Sequence, residues 1–410
     1  MQDLFNRFIP EKRIFRNREV LMPSYIPTKL PHREKEIDLL ASVSAAALQG
    51  ETPSNIFIYG KTGTGKTAVT KWVGKELAKA GNHLDKSVHF FYINCAIVDT
   101  KYGVLQNIAN HFISQWSERI PFTGWPTEEV YSKLLEAADK AGGVTIITLD
   151  EIDKIKGDEL LYNLSRINSD LTNAKVSVIG ISNDLKFTEF LDPRVKSSLG
   201  EQSMIFSPYN AEQLKDILEQ RAQMAFKDGV ASLPIITLCA GIAAQEHGDA
   251  RKALDLLRIS AELAEREQSN TVSEANVRRA QSEIEMDRFA EVIRTLPMQS
   301  KLILFSIIVA EEAWRVHHSG KLTTGELYNV YNALCKKAKV NSLTPRRVTE
   351  LISELDMLGI ITAKLISKGR YGRTKEIRLG TDPEKARSLL SEDEVISGVK
   401  DFKPYTQLHF

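Results

Sequence analysis

The sequence predicts an α/β domain built on a parallel sheet, then a helical region, then a small module of three helices and a hairpin. Apolar runs such as Val144–Leu149 and Lys175–Ile181 alternate with helical patterns, which is typical of parallel strands covered on both faces. Strand-like runs stop after Pro208, and the pattern of residues 211–285 is helical. Residues 360–379 have the pattern of two strands joined by a basic turn.

Within the first half of the chain, periodicity predicts each element in turn. They are helix 32–48, strand Asn55–Tyr59, a helix from Lys66, strand Ser87–Ile93, helix 101–118, helix 128–141 and the two apolar strands. The helix at 101–118 is predicted from apolar residues at spacings of four, namely Val104, Ile108, Phe112 and Trp116.

The C-terminal module follows a different pattern. Helices are predicted at 302–316, 324–337 and 344–358, and the third begins with Thr344 and Pro345, a favourable N-cap and N1 pair. A hairpin of strands 360–367 and 374–379 follows. We therefore expect three domains, at residues 1–207, 208–286 and 290–395.

Composition excludes several classes of protein. With 42% hydrophobic and 26% charged residues, the 410-residue chain is neither disordered nor collagen-like. Its apolar runs are shorter than the roughly 18 residues of a membrane span. The three cysteines have no metal-site spacing, and the first ten residues lack an apolar signal region. We therefore expect a reduced, cytoplasmic location and no membrane partner.

Charge is distributed unevenly along the chain. Residues 336–378 contain eleven Lys or Arg against four acids, whereas the whole chain has a net charge of only +1. A basic C-terminal module on a slightly acidic body predicts a polyanionic partner for that module.

The octapeptide GKTGTGKT fits the phosphate-binding pattern GxxxxGK[ST] between a strand and a helix. Glycines let backbone N–H groups converge on phosphate oxygens, and the helix N-terminus adds a favourable partial charge. We predict a site for ATP or ADP with Mg²⁺, in which the lysine reaches the β and γ phosphates and the last threonine ligates the metal. Its residues are Gly60, Lys61, Thr62, Gly63, Thr64, Gly65, Lys66 and Thr67.

Polar residues that follow later strands complete the predicted catalytic set. Asp150, at the end of an apolar strand, is the candidate Mg²⁺ ligand, and Glu151 is the candidate that polarises the attacking water. Asn183 ends the next strand and is predicted to orient water or touch the γ-phosphate, with a turn cap as the alternative. Arg251 begins a helix in the helical region after the sheet, here called the lid, and is predicted to contact the γ-phosphate.

These motifs, in this order and spacing, resemble those of AAA+ ATPases. The helical lid and C-terminal module narrow the resemblance to archaeal replication initiators of the origin-recognition and cell-division-cycle type. Leu30–Glu34, Leu191–Val195 and Phe206–Tyr209 resemble segments of the same group, and the resemblance covers roughly residues 20–395. It implies an AAA+ P-loop ATPase base, a helical lid and a C-terminal winged helix.

The resemblance also implies a function. A member would be an ATP-dependent initiator that binds origin duplex DNA and helps recruit the minichromosome maintenance replicative helicase. ATP binding and slow hydrolysis would act as a switch, so the enzyme would be a weak ATPase. A second initiator protomer or a paralogue on the DNA is a further implied partner, and the location would be cytoplasmic and nucleoid-associated.

Further nucleotide-site residues are implied only by the resemblance. They are Pro31, His32 and Arg33 for the adenine pocket, and Tyr209 and Arg221 near the nucleotide. Related clamp loaders insert an arginine into the neighbouring subunit's site, and Ser198 stands at that place here. Arg194, four residues upstream, is the remaining candidate to act in trans, with a structural ion pair as the alternative.

Two regions are candidates for DNA contact. In helix-turn-helix proteins the N-terminal end of the recognition helix faces base edges, and the hairpin tip forms a basic wing. The candidate residues are Thr344, Arg346, Arg347, Lys368, Arg370, Tyr371, Arg373 and Lys375. Residues 120–127, here called the aromatic loop, lie where the resembled family carries an insertion that touches DNA, which adds Phe122, Thr123, Gly124 and Trp125. The alternative is that Phe122 and Trp125 pack on the sheet.

Two other functions stay open at this point. One is a transcription regulator in which ATP switches a helix-turn-helix domain, and the other is a clamp-loader-like motor. The Leu30–Glu34 segment, the aromatic loop and the absence of a sensor domain favour the initiator.

Overall fold

The computed structural model describes residues 14–113, 115–189, 191–199, 202–317, 322–367 and 373–404. The chain forms two compact units, which divide after Ala280. Each unit is described by itself below.

The first unit contains a parallel sheet of five strands within its described residues; the sequence predicts the parallel sheet and four of these strands. The strands are β1 Ile56–Gly60, β2 Val88–Asn94, β3 Gly143–Asp150, β4 Ala174–Ser182 and β5 Gln202–Phe206, in the order β2-β3-β4-β1-β5. Every neighbouring pair is parallel, with Ile56 opposite Ile179 and Val88 opposite Val144. The carboxyl ends of the central strands β1, β3 and β4 therefore meet at one edge, where the candidate site residues lie.

Helices cover both faces of this sheet, and each face has its own core. Ile56 and Ile58 of β1 pack into one cluster with Ile146, whereas Phe57 and Tyr59 pack into the other, because successive strand residues point to opposite faces. The helices of this layer are α1 Glu34–Ser44, α2 Lys66–His83, α3 Lys101–Phe112, α4 Thr127–Ala141, α5 Glu159–Asp170 and α6 Pro193–Leu199.

The end of helix α3 and the position of the Trp116 side chain differ from the prediction. Helix α3 ends at Phe112 rather than at 118, and Trp116 lies in a short 3-10 turn, 82% exposed. The chain turns back because Gln106 and Asn110 hold the backbone of Ile120, with Nε2 and Nδ2 donating to its carbonyl at 3.1 and 2.9 Å. Ile120 is buried and joins the core there.

The rest of the first unit is a helical lid. It comprises α7 Ala211–Ala225, α8 Leu233–Gln245 and α9 Ala250–Arg266. Residues 14–27, here called the N-terminal strap, lie against these helices: the amides of Arg16 and Asn17 donate to Ala225 O at 2.8 and 3.1 Å. Helix α10, Glu274–Thr295, runs across the division between the units.

The second unit has the predicted helices and hairpin. Its elements are α11 Met298–His317, α12 Thr324–Ala338, α13 Pro345–Met357, the antiparallel strands β6 Ile361–Ser367 and β7 Arg373–Leu379, and two further helices, α14 Pro383–Leu390 and α15 Glu394–Ser397. Leu302, Phe305, Tyr331 and Ile352 are fully buried in a core confined to this unit. No described helix in either unit is long and apolar enough to cross a bilayer.

Candidate nucleotide site and nucleic-acid interface

The phosphate loop, Lys61–Gly65, joins β1 to α2 in a conformation that requires glycine at two positions. Gly63 and Gly65 have φ of 70° and 91°, in the left-handed region. A Cβ on Gly63 would lie 1.6 Å from Asp249 Oδ1, and one on Gly65 would lie 2.8 Å from the Tyr209 hydroxyl. The lid therefore lies so close to this loop that only glycine fits at positions 63 and 65.

Lys66 is the first residue of α2, and its side-chain amine lies within the loop. Its Nζ donates to Gly60 O at 2.7 Å, to Lys61 O at 2.8 Å and to Asn183 Oδ1 at 2.8 Å. Burial lowers the pKa of Lys66 to about 8, although the nearby Asp150 carboxylate opposes the shift. A phosphate oxygen that replaced the carbonyl acceptors would favour the charged amine.

Thr67 and Asp150 come together as a metal site requires. The Thr67 hydroxyl donates to Asp150 Oδ2 at 2.7 Å, and Asp150 is only 5% exposed. Hydroxyl and carboxylate oxygens are ligands that suit Mg²⁺, which normally completes its shell with substrate phosphates and water. These two residues fit that role, and their predicted metal binding stays a prediction.

Glu151 and Asn183 lie beside this pair. Glu151 adopts a left-handed conformation, with φ of 53°, and its amide donates to Asp150 Oδ1 at 2.9 Å. The Asn183 amide oxygen accepts from Lys66, so the residue is connected directly to the loop lysine. Their roles in hydrolysis stay predictions.

The lid meets the loop through the start of α9. The Ala250 amide donates to Gly63 O at 3.1 Å, and Asp249 caps the helix by accepting from the Arg251 amide at 2.8 Å. Arg251 lines the same cavity as Gly63 and Thr67, and its charge contributes to the lowered pKa of Lys66. This places a lid arginine over the phosphate end of the cavity.

The rest of the cavity is apolar and lies between the strap and the lid. Its walls include Met22–Pro27 of the strap, together with Leu30, Pro31, Tyr209, Ile217, Arg221 and Leu254. Two apolar walls beyond a phosphate loop suit a purine base. Pro31, Tyr209 and Arg221 line this cavity, and their predicted contacts with a nucleotide stay predictions.

Arg33 lies elsewhere than in the implied adenine pocket. The residue is 4% exposed, and its guanidinium donates to Thr64 O at 3.0 Å and to Ser207 O at 2.6 Å and pairs with Glu36 at 2.9 Å. It also stacks 4.0 Å from the Tyr209 ring centroid. Because its donors are committed to backbone carbonyls, Arg33 holds the phosphate loop rather than lining the cavity.

Two other implied residues are engaged with neighbours. His32 Nε2 lies 2.9 Å from Asp216 Oδ2 on the first lid helix, outside the cavity lining. Arg194 forms a bidentate pair with Asp192, at 3.1 and 2.9 Å, and is mostly exposed. The predicted action of Arg194 in trans stays a prediction, and the Ser198 side chain lies outside the described part.

The aromatic loop places its two aromatic residues differently. Phe122 is 85% exposed, whereas Trp125 is partly buried and packs against the core. Tyr102 donates to Pro121 O at 2.7 Å and so fixes the start of the loop. Trp116, which periodicity assigned to a helix, is the second exposed aromatic, and Arg119 lies 5.4 Å from its ring centroid.

The recognition-helix candidates lie on the surface of the second unit. Thr344 caps α13 by accepting from the Arg347 amide, and the Arg346 side chain is 93% exposed. Arg347 pairs with Glu350 at 2.9 Å and Glu354 at 3.4 Å, so its charge is partly compensated on its own helix. Lys375 Nζ donates to Ser353 Oγ at 2.5 Å, which ties β7 to α13.

The tip of the wing cannot be compared with the prediction. Lys368, Arg370 and Tyr371 lie outside the described residues, as does the side chain of Arg373. Their predicted DNA contacts therefore stay predictions.

Curated relatives match over nearly the whole chain. The chain is 58% identical over 406 residues to an ORC1-type DNA replication protein 1 of Methanosarcina acetivorans, which covers 98% of this chain and 96% of the relative. An ORC1-type DNA replication protein of Pyrococcus abyssi is 54% identical over 401 residues, with coverage of 97% and 94%. The chain belongs to the family of ORC1-type DNA replication proteins.

Domain models of the ORC1-type family agree with the fold. An AAA domain model matches residues 49–186, a Cdc6 AAA+ ATPase-type lid domain matches 215–282, and a CDC6 C-terminal winged helix domain matches 291–388. The predictions of an AAA+ base, a helical lid and a C-terminal winged helix are confirmed. The predicted boundaries at 207/208 and 286/290 stay predictions.

A solved structure is also similar. The Aeropyrum pernix ORC1 protein in complex with DNA has a TM-score of 0.78 and 46% identity, and the match covers 94% of this chain and 99% of that one. The predicted membership of the archaeal origin-recognition group is thus confirmed by sequence and by fold.

Some features of this ORC1-type site had no signal in the sequence. The resemblance implied Arg33 for the adenine pocket, but its contacts arise only where Thr64 and Ser207 are brought together, and Asp249 is recognisable only once its carboxylate lies beside Gly63. Trp116 was assigned to the wrong environment because its spacing continued the helical period.

Proposed function

We propose that this chain is an ATP-dependent replication initiator that binds origin duplex DNA and helps recruit the minichromosome maintenance helicase. The observation that carries the proposal is the contact between lid and phosphate loop. Asp249 and Ala250 reach the loop at Gly63 and Arg251 lines the same cavity, so a nucleotide bound there would touch both the sheet domain and the lid. This suits a switch in which the nucleotide state sets the lid.

The nucleotide is ATP or ADP, with Mg²⁺ held by Thr67 and Asp150. When bound, the metal supplies charge compensation for the β and γ phosphates. Lys66 and Arg251 add positive charge at the same end, and Glu151 is positioned to accept a proton from water. With Ser198 at the place of the usual trans arginine, hydrolysis by the free protein is slow.

Origin DNA is bound at two places in the proposal. The first is the winged helix, where Arg346 and Arg347 face the major groove and the basic wing contacts phosphates. The second is the aromatic loop, where Phe122 is exposed and Tyr102 holds the carbonyl of the preceding residue, Pro121. The complex of the Aeropyrum pernix relative with DNA supports this part of the proposal.

The helicase and a second initiator on DNA are proposed from family membership, and Arg194 is the proposed residue at the contact between protomers. Its bidentate pair with Asp192 is exposed, so solvent screens the pair and a phosphate can replace the carboxylate.

The switch is tested by duplex DNA binding in three nucleotide states. The probe is duplex DNA from the genomic region beside the gene for this chain. The affinity of the full chain for that DNA should differ between the ATP-bound, ADP-bound and nucleotide-free states. Lys66→Ala, which lacks the amine that reaches the phosphates, should bind DNA equally in all three. Equal affinities for the parental chain in all three states would refute the switch.

A further inference from the structure

Tyr92 lies against the candidate metal site although it belongs to none of the motifs. It is on β2, opposite Thr148 of β3 in the parallel register, two residues before the end of that strand pair at Asn94 and Asp150. From there its hydroxyl donates to Asp150 Oδ2 at 2.6 Å.

The Asp150 carboxylate is held by three donors. Oδ2 accepts from both Tyr92 and Thr67, at 2.6 and 2.7 Å, and Oδ1 accepts from the Glu151 amide at 2.9 Å. Thr67 is itself a candidate metal ligand and Glu151 the candidate base. Tyr92 is therefore the one donor among these three that has no chemical task of its own.

The surroundings of Tyr92 keep its hydroxyl a donor. An ionised carboxylate can only accept a hydrogen bond, so the phenol O–H is the donor to Asp150 Oδ2. The Lys71 ammonium lies 3.6 Å from the ring centroid, one turn of α2 beyond Thr67, and lines the nucleotide cavity. The ring is thereby held between the cavity and the sheet.

We propose that Tyr92 is a positioning residue for Mg²⁺: its hydroxyl fixes the orientation in which Asp150 meets the metal of a bound Mg²⁺–ATP. The inference rests on the proposed function, since it assumes that Thr67 and Asp150 hold Mg²⁺. Outer partners of this kind orient ligating carboxylates, and their loss typically lowers metal affinity about 10–100-fold.

The test is a Mg²⁺ titration of nucleotide binding to the full chain. Binding of a fluorescent ATP analogue is measured over a range of Mg²⁺ concentrations and, separately, in EDTA. Tyr92→Phe should raise the Mg²⁺ concentration at half-maximal effect by about 10–100-fold. In EDTA, Tyr92→Phe should bind the ATP analogue with the affinity of the parental chain, because the aromatic ring and its packing are kept.

Tyr131→Phe is the matched control. Its hydroxyl also donates to a carboxylate, Asp170 Oδ2 at 2.9 Å, but the pair joins α4 to α5 away from the nucleotide cavity. Losing that bond should leave the Mg²⁺ midpoint unchanged. A general effect of deleting a tyrosine–carboxylate bond would instead appear in both variants.

A double-mutant cycle with Asp150→Asn tests the route of the effect. If Tyr92 acts through Asp150, the double variant should have the Mg²⁺ midpoint of Asp150→Asn alone. A midpoint in Tyr92→Phe within twofold of the parent, an equal loss with and without Mg²⁺, or additive effects in the cycle would each overturn the inference. If the parental chain binds nucleotide without responding to Mg²⁺, both the inference and the metal part of the proposed function fail.

Discussion

Single residues at the phosphate loop show how the site is prepared for an anion. Lys66 is almost completely buried, and its amine is surrounded by acceptor oxygens of Gly60, Lys61 and Asn183. Burial nevertheless lowers its pKa to about 8, which means that the site holds a charge that is only partly compensated. A triphosphate supplies the missing negative charge.

The lowered pKa of Lys66 predicts a pH dependence of ATP affinity. Phosphate oxygens favour the charged amine, so binding raises its pKa and takes up a proton when the pH lies above about 8. Affinity should be insensitive to this group below about pH 7 and fall by up to about tenfold per unit above pH 8.

Calorimetry at pH 9 in buffers of different ionisation enthalpy measures that proton uptake. Lys66→Arg, whose guanidinium stays charged, is the control and should show none. Absence of uptake in the parental chain at pH 9 would mean that Lys66 does not meet the phosphates.

Glu151→Gln separates binding from hydrolysis. The amide keeps the size of the side chain but cannot accept the proton of the attacking water, so the variant should bind ATP as the parent does and hydrolyse it at least 100-fold more slowly, on the order of a lost general base. Single-turnover hydrolysis measures this. Turnover at the parental rate would show that another residue is the base.

At the level of elements, the strap and the lid together line the part of the cavity beyond the phosphate loop. Arg221 of α7 is 6% exposed, donates to Val20 O at 3.0 Å and to Tyr25 O at 3.4 Å, and lies 4.8 Å from the Tyr25 ring centroid. The cavity wall at Met22–Pro27 is thus attached to the lid by a buried arginine. If a base binds in this cavity, we therefore expect its recognition and the lid position to be coupled.

Arg221→Gln should weaken binding of ATP but not of inorganic triphosphate. The change removes hydrogen bonds from a charged donor, which are worth about 1.5–3 kcal/mol, from the wall and leaves the phosphate loop intact. Competition binding with both ligands measures the effect, and Arg278→Gln, at an exposed ion pair with Glu274, is the control. Equal losses of affinity for ATP and for triphosphate would show that Arg221 stabilises the fold in general rather than the cavity wall in particular.

The elements also show what the sequence was able to predict. Strands β3 and β4 were predicted because both faces are buried, which leaves uninterrupted apolar runs. Strand β5 was missed because it is a short edge strand in which Ile205 is exposed and Ser203 faces solvent. The end of α3 depends on Gln106 and Asn110 holding Ile120, a tertiary contact that periodicity does not report.

The candidate site divides in the same way. The loop, Asp150, Glu151, Asn183 and Arg251 were identified because strand ends and a helix start carry them in a fixed order. Tyr92 was not identified, and Arg33 was implied only for the adenine pocket, since their contacts arise from register between strands and from backbone carbonyls distant in sequence.

For the whole molecule, assembly is the first consequence to test. With Ser198 at the usual arginine position, the free chain should be monomeric with ATP and show little ATPase activity. Sedimentation over a range of concentrations measures this. A stable ATP-dependent hexamer without DNA would contradict the prediction and favour a motor.

Charge on the second unit underlies the proposed DNA-binding surface. Residues 336–378 have eleven basic side chains against four acidic ones, so log affinity should fall linearly with log salt, by about 0.9 per phosphate neutralised. The carboxylates of Glu350 and Glu354 compensate the charge of Arg347, so we expect them to weaken non-specific binding of DNA. Contacts of Arg347 with base edges must then compete with these ion pairs on its own helix.

Footprinting of the full chain on its own genomic DNA, with ATP and competitor DNA, tests the initiator function most directly. We predict discrete protected sites at inverted repeats near the gene, lost when Arg346 and Arg347 are changed to Ala. We also predict that deleting residues 120–127 shortens each footprint. Protection without sequence preference, or confined to promoters and dependent on an inducer, would contradict the account.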